Sequence, residues 1–306
     1  MELFTGVGPE FSTTVIVGNF DGVHVGHQAL IRQAKEIGQE NQWPVVALTF
    51  DPHPAMVLRP QPPQNYLITP LDLKLYWLEY YGVDYVRVLS FDHELAMVPP
   101  FAFLTLEVAQ RLRARAVVVG YNFTFGAGGA GTIETLRQWG ELTGITVRIV
   151  EPVNTNSLIV SSSAIRQNIA ERNIGEANDL LGHPFSVRAA VQRGDGRGSK
   201  IGIPTLNLFP PAQQIMPPYG VYAGYLTING SETEWPGVAN WGIRPTFGGD
   251  QPVLEVHVID RDLGDLHEQS VRFDFHYSLR PEQKFDRVEA LVRQIRQDID
   301  KARELL

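Results

Sequence analysis

Cysteine is absent from all 306 residues. That excludes disulfides, thiolate catalysis and cysteine-ligated zinc. No apolar run approaches the roughly 20 residues that a membrane-spanning helix requires, so no membrane partner is expected. Met1–Glu10 lacks the basic-then-apolar layout of a secretory leader, and a cytoplasmic location is the expectation. Basic residues are in deficit, with 26 Lys and Arg against 34 Asp and Glu, a formal charge of −8. Non-specific nucleic-acid binding rests on neutralising phosphates with basic side chains, so no nucleic acid is expected as a partner. Small anions remain allowed, because backbone N–H groups can hold a phosphate in an acidic protein. Internal repeats and low-complexity tails are also missing. What is present is a chain 43% hydrophobic and 20% charged, with length for about two domains.

The first half alternates strand-like and helix-like segments. Thr13–Gly18, Pro44–Phe50, Asp84–Leu89, Ala116–Gly120 and Ile145–Val150 are short β-branched runs of the kind buried on both faces. Helical patterns fall at Gly26–Gln39, Leu71–Tyr81, Pro100–Arg113 and Thr132–Thr143. Strands alternating with helices predict a parallel sheet in an open α/β domain. Asp51–Pro63, with five prolines, is predicted to be a loop. The style changes near Gly182–Phe185. Short alternating runs follow at Ser186–Gln192, Gly220–Asn229, Trp235–Asn240, Val253–Asp260 and Ser270–Tyr277, predicting a small β-barrel or sandwich. A terminal helix is predicted to turn Phe285, Val288, Val292, Ile295, Ile299 and Ala302 toward the core.

The string Gly18-Asn19-Phe20-Asp21-Gly22-Val23-His24-Val25-Gly26-His27 joins the strand at Thr13–Gly18 to the helix that follows. His24 and His27, three apart, share a face. A helix N-terminus offers free N–H donors and partial positive charge. Two imidazoles beside those donors can stabilise charge developing on a phosphate under attack. A two-histidine metal site is the competing reading, but no third ligand is evident nearby. A purely structural pair leaves the crowding of glycines and histidines at one turn unexplained. Gly120–Gly131 suits either a flexible loop over phosphates or an ordinary surface loop. Ser162, Ser163 and Arg166 read as a helix cap followed one turn later by a guanidinium. Capping accounts for the serines, whereas an arginine there opposes the helix dipole and hints at an anionic partner.

In the second half, Gly194–Asn207 combines a glycine-rich loop with Thr205 and Asn207, two apart and so on one side of a strand. Such oxygen ligands suit Mg²⁺ held mostly by substrate phosphates, and the loop could give N–H donors to those phosphates. The Walker A spacing is not met. A tight hairpin with two structural polar residues accounts for the same residues.

The first string resembles the H-x-G-H signature of the nucleotidyltransferase superfamily, in the form used by bacterial bifunctional riboflavin kinase/FAD synthetases. Phe50-Asp51-Pro52-His53-Pro54, Gly82-Val83-Asp84, the run Val118–Gly126 and Ser161–Arg166 extend the resemblance. It implies that Gly18, Phe20, Asp21, Gly26, Asn122, Ser162, Ser163 and Arg166 hold nucleotide and phosphate, with His24 and His27 catalytic beside the phosphates. Asn122 stands where many relatives carry Asp. Gly202-Ile203-Pro204-Thr205-Leu206-Asn207 resembles the G-F-P-T-A-N motif of riboflavin kinases, and Tyr219–Tyr222, Gly237–Asn240, Arg244–Phe247 and Leu254–His257 follow in family order. This implies that Thr205 and Asn207 ligate Mg²⁺, that Gly198 and Gly202 lie beside phosphates, and that Glu255 is the general base. A solvated strand position between inward Leu254 and Val256 is the other reading of Glu255. Ser199, Ala189 and Asp262–Leu266 depart from the family pattern.

The expected architecture is an α/β nucleotidyltransferase domain with a Rossmann-like parallel sheet over 1–183, then a small β-barrel riboflavin kinase domain with a terminal helix over 187–306. The resemblance implies riboflavin, FMN and ATP as substrates, FMN and FAD as products, and Mg²⁺ as cofactor. One rival is another adenylyl- or cytidylyltransferase with a degenerate barrel, separable by FMN-dependent pyrophosphate release. The other is a flavin-binding protein without turnover, against which His24, His27, Thr205, Asn207 and Glu255 all argue. Oligomeric state is not specified by these patterns.

Overall fold

The computed structural model describes residues 1–4, 9–61, 64–155, 158–194, 198, 202–246 and 249–306. Asp195, Gly196, Arg197, Ser199, Lys200 and Ile201 of the glycine-rich loop, and Phe247, lie outside the described residues. The chain divides into two compact units, Met1–Ser162 and Ser163–Leu306.

In the first unit, β1 (Glu2–Leu3), β2 (Thr13–Val17), β3 (Val45–Asp51), β4 (Tyr85–Ser90), β5 (Ala114–Gly120) and β6 (Thr146–Val150) form one sheet in the order β1-β4-β3-β2-β5-β6. Every pairing in it is parallel, and β7 (Asn154–Thr155) and β8 (Leu158–Ile159) form a separate antiparallel pair. The helices are α1 (Val25–Asn41), α2 (Pro54–Leu58), α3 (Leu71–Tyr80), α4 (His93–Ala96), α5 (Pro100–Phe103) and α6 (Ile133–Thr143), with α5 continuing as a π-helix over Leu104–Arg111. Successive residues of a strand face opposite sides. Accordingly Val15 and Val17 join a core with Phe103, Leu104 and Trp139, while Ile16 joins the other with Leu30, Trp77 and Leu78. That double burial is why the strands read as unbroken apolar runs.

The expected loop at Asp51–Pro63 contains the short helix α2. Proline is tolerated at the start of a helix, where its missing N–H would be unpaired anyway. Here Pro54 opens the helix and His53 caps it, its Nδ1 accepting from Ala55 N–H at 3.1 Å.

The second unit opens with α7 (Ser162–Ala170, its first residue counted with the first unit) and α8 (Ile174–Leu181). Then β9 (Phe185–Gln192), β10 (Leu206–Leu208), β11 (Gly220–Ile228), β12 (Glu234–Thr246), β13 (Gly249–Val258) and β14 (Ser270–Pro281) close a barrel in the order β10-β13-β12-β11-β14-β9. All its pairs are antiparallel. Fully buried Tyr222, Phe185, Phe273 and Phe275 fill it, meeting edge-on in two of their contacts. Leu254 and Val256 of β13 are also completely buried. Asn178 of α8 ties that helix to the barrel, donating to Phe275 O at 2.8 Å and accepting from Phe185 N–H at 2.7 Å. Arg172 donates to Arg280 O at 3.0 Å and to Tyr219 O at 2.8 Å.

The terminal helix α9 spans Val288–Leu305, and its apolar stripe is only partly core. Phe285 precedes the helix and Val288 is 60% exposed, while Ala302 is buried and Ile299 packs on Val221, Val238 and Leu279. Ile295, with Leu291, instead walls a cavity.

Candidate active sites

Where the order of a parallel sheet reverses, the strand ends leave a crevice that binds ligands. In the first unit this point lies between β2 and β5. The Gly18–His24 loop leaves one strand there and Gly120–Asn122 the other. Phe20 (φ 49°), Gly22 (φ 90°) and Val23 (φ 37°) all have left-handed backbones, a costly conformation for Phe and Val. Asp21 provides the anchor: only 1% exposed, its Oδ1 accepts from Ile68 N–H at 2.9 Å and Thr69 N–H at 3.0 Å. Gly22 N–H donates to Thr69 Oγ1 at 2.9 Å, and Ser162 Oγ donates to Asp21 O at 2.9 Å. Phe20 and Asp21 thus build the loop with their side chains, and Ser162 is tied to it rather than spent on capping.

His24 is the N-cap of α1, its Nδ1 accepting from His27 N–H at 3.4 Å. The two imidazoles stack, with centroids 3.6 Å apart and planes 16° from parallel. A Cβ on Gly26 would come within 3.1 Å of the His24 ring, so glycine keeps the first turn clear of it. Burial first, and then the neighbouring His24 and Lys74, lower the basicity of His27 well below the ordinary histidine value. His27 is therefore a neutral imidazole at neutral pH. Its Nδ1 is buried without a hydrogen-bond partner among the described residues. Neutral imidazole can donate one hydrogen bond and accept another.

Gly18, Phe20, Asp21, His24, Gly26, His27 and Ser162 thus fall in one neighbourhood, with exposed Asn122 just past β5. Exposed Ser163 and half-buried Arg166 lie in the first turns of α7 and belong to the other compact unit. The Gly120–Gly131 segment is a built turn, since Phe125 and Gly131 exchange backbone hydrogen bonds at 3.1 and 2.8 Å.

In the barrel, Asn207 of β10 stands in register with Glu255 of β13, and Glu255 in register with Asn240 of β12. Residues directly opposite one another share a face of the sheet. Amide, carboxylate and amide therefore form a row across three strands, on the face opposite buried Leu254 and Val256. Glu255 and Asn240 line a cavity of about 350 Å³ whose wall includes Val221, Phe285, Leu291 and Ile295. Asn207 lines another, of about 360 Å³, with Arg193, Gly194, Arg261 and His267. Thr205 borders both cavities. A Cβ on Gly198 would fall 2.3 Å from Ile203 O, so only glycine brings that loop so close. Gly202, also glycine for its φ of 77°, follows it. His257 Nδ1–H donates to Pro204 O at 2.8 Å, steadying the segment that carries Thr205.

Sequence reasoning missed Asn240 as a member of the row, and the Arg280–Asp298 ion pair (2.8 Å) in the cavity wall. It also missed Lys74, a lysine only 4% exposed among the apolar residues of α3. The last left a readable signal, a charge on the buried stripe of a helix.

The FAD synthetase family model matches residues 10–164 and the riboflavin kinase family model matches residues 181–306. The bifunctional riboflavin kinase/FMN adenylyltransferase of Escherichia coli (strain K12) is 36% identical over 309 residues, covering 99% of this chain and 97% of that protein. The Bacillus subtilis (strain 168) protein of the same description is 34% identical over 295 residues, covering 95% and 91%. A crystal structure described as a macrolide-efflux protein from Streptococcus pneumoniae superposes with a TM-score of 0.86 at 31% identity, covering 97% of this chain and 95% of that one. Among the described residues of this chain no helix is long and apolar enough to cross a membrane.

Proposed function

The chain belongs to the bifunctional riboflavin kinase/FMN adenylyltransferase family, and from that premise we propose how its residues carry the two reactions. It phosphorylates riboflavin to FMN with ATP, and adenylylates FMN to FAD with release of pyrophosphate. The adenylyltransferase chemistry belongs to residues 1–183 and the kinase chemistry to 187–306. Using ATP, the enzyme works in the cytoplasm.

In FAD formation an FMN phosphate oxygen attacks the α-phosphorus of ATP. The bond from that phosphorus to the bridging oxygen breaks, and pyrophosphate leaves. His24, neutral His27 and the first N–H groups of α1 stabilise the charge on the phosphate oxygens. Asn122, Ser162, Ser163 and Arg166 hold the nucleotide, and Gly18, Phe20, Asp21 and Gly26 shape the loop beneath it. No covalent intermediate is needed, so the protein contributes position and charge stabilisation.

In FMN formation Glu255 takes the proton of the ribityl 5′-hydroxyl while that oxygen attacks the γ-phosphorus and ADP leaves. The observation that carries this reading is the in-register row of Asn207, Glu255 and Asn240 between two cavities that share Thr205. The cavity with Phe285, Leu291 and Ile295 takes the flavin ring, and the one with Arg193 and Arg261 takes the nucleotide. Thr205 and Asn207 suit Mg²⁺, which keeps few protein ligands and draws the rest from phosphates and water. Bound there, it would neutralise charge on the transferring phosphoryl group.

The test is incubation with riboflavin, ATP and Mg²⁺, followed by chromatography of the flavins. FMN should appear first and FAD after it, and chelating the divalent cation should stop both. FMN without FAD would refute the assignment of the first unit, and neither product would refute both.

Truncation tests the division of labour. A fragment beginning at Leu181 should form FMN and no FAD. It lacks the Arg172 and Asn178 hydrogen bonds to the barrel, so it should melt below a fragment beginning at Ser163. A folded Ser163 fragment without kinase activity would show that the first unit supplies part of the kinase site.

A further inference from the structure

Lys74 is the least expected side chain on α3. Its neighbours on the buried stripe are Leu73, Trp77 and Leu78, and it is itself only 4% exposed. A leucine or methionine would fill such a place without desolvating an ammonium, which is costly when no counter-charge is in contact. Among the described residues no carboxylate forms an ion pair with it. Its two hydrogen bonds go to neutral oxygens, Thr49 Oγ1 at 3.4 Å and Phe50 O at 3.3 Å. Asp21 and Asp51 support its charge from farther away, against the burial that lowers its basicity.

The bond to Thr49 has a direction. Lys74 can only donate, so its N–H occupies a lone pair of the Thr49 hydroxyl. The hydroxyl proton is then free for Asn19 O, 3.2 Å away. Asn19 directly precedes Phe20, the first residue of the left-handed stretch that leads to His24. The same segment grips the loop a second time, through Ile68 and Thr69 on Asp21 and Thr69 on Gly22. Residues 68–74 thus hold both sides of the strained turn.

We propose that Lys74 is a positioning residue of the adenylyltransferase reaction, acting through the Thr49 hydroxyl to hold the Asn19 carbonyl and thereby the loop that presents His24 and His27. This rests on the adenylyltransferase reading of the first unit. FAD formation by the unaltered enzyme tests that reading, whereas comparing variants with it, and following exchange of the loop amides, tests Lys74.

The substitutions are Lys74→Met, which keeps the length and removes the donor, and Thr49→Val, which keeps the shape and removes the relay. Each should lower kcat for FAD formation about 10- to 100-fold, the scale of a small displacement of reacting groups. KM for ATP should stay within about threefold, because the phosphate donors remain. Hydrogen exchange at residues 18–24 should quicken in both variants. Thr49→Ser retains the hydroxyl and should keep near-normal rates. The double variant should be no slower than the slower single one, as expected of two residues acting as one unit. Far-UV circular dichroism and the melting curve of each variant are the control for folding of the first unit, because the barrel unit would form FMN without it. Unchanged FAD kinetics in Lys74→Met, additive losses in the double variant, or unchanged loop exchange would each overturn the proposal.

Discussion

His27→Ala should lower FAD formation about a hundredfold or more, the loss expected from removing one preorganised stabiliser of developing charge. FMN formation should continue at the unaltered rate, because every proposed kinase residue lies in the barrel unit. His27 is the cleaner of the two histidines to remove. His24 also caps α1, so its substitution costs about 1 kcal/mol of helix stability as well as chemistry. Removing His27 does leave a gap against the His24 and Phe20 rings. His27→Asn therefore belongs beside it, retaining a donor and recovering part of the rate. Equal loss of both activities in His27→Ala would mean misfolding and defeat the assignment.

The same variant has a pH signature. Burial and the nearby His24 and Lys74 hold His27 neutral in the folded enzyme, while an unfolded histidine titrates near about 6.5. Below that value the unfolded chain binds a proton that the native site resists, so acid erodes stability. His27→Ala should lose less stability than the unaltered enzyme between about pH 7 and pH 5, measured by thermal melting. An identical slope would mean His27 is not held neutral.

Glu255→Gln should lower FMN formation roughly 10²- to 10⁴-fold, the range for losing a general base. FAD formation from supplied FMN should survive. Gln keeps the size of the side chain and turns one accepting oxygen into a donor, which the flanking amides of Asn207 and Asn240 can meet with their oxygens, so the row need not rearrange. A carboxylate that instead held the metal would give a defect relieved by added Mg²⁺, whereas a lost base would not be relieved. Unaltered kinase rates in this variant would refute the role.

Much of this protein was decided within short stretches of sequence. Unbroken β-branched runs announced the parallel strands, because burial on both faces leaves no polar alternation to show. The change to short alternating runs after Phe185 announced the barrel. The spacings of three in His24 and His27 and of two in Thr205 and Asn207 point to paired side chains; the two imidazoles do stack, with His24 as the cap of α1, whereas Thr205 stands one residue before β10. Other features came only with tertiary structure. β10 is three residues long, too short for a periodic signal, and is a strand because β9 and β13 satisfy its backbone on both sides. The proline-rich segment hides a helix because His53 caps it. Ile295 of the terminal helix's apolar stripe, with Phe285 before the helix, walls a cavity rather than filling the core. Asp21 accepts from backbone N–H groups 47 and 48 residues away. Lys74 and Thr49 meet across 25 residues, and Asn240 reaches Glu255 through strand register. Periodicity and spacing record which way a residue faces along its own element. What it meets there is set by the packing of distant elements, and a buried polar group finds its partner only once those elements have come together.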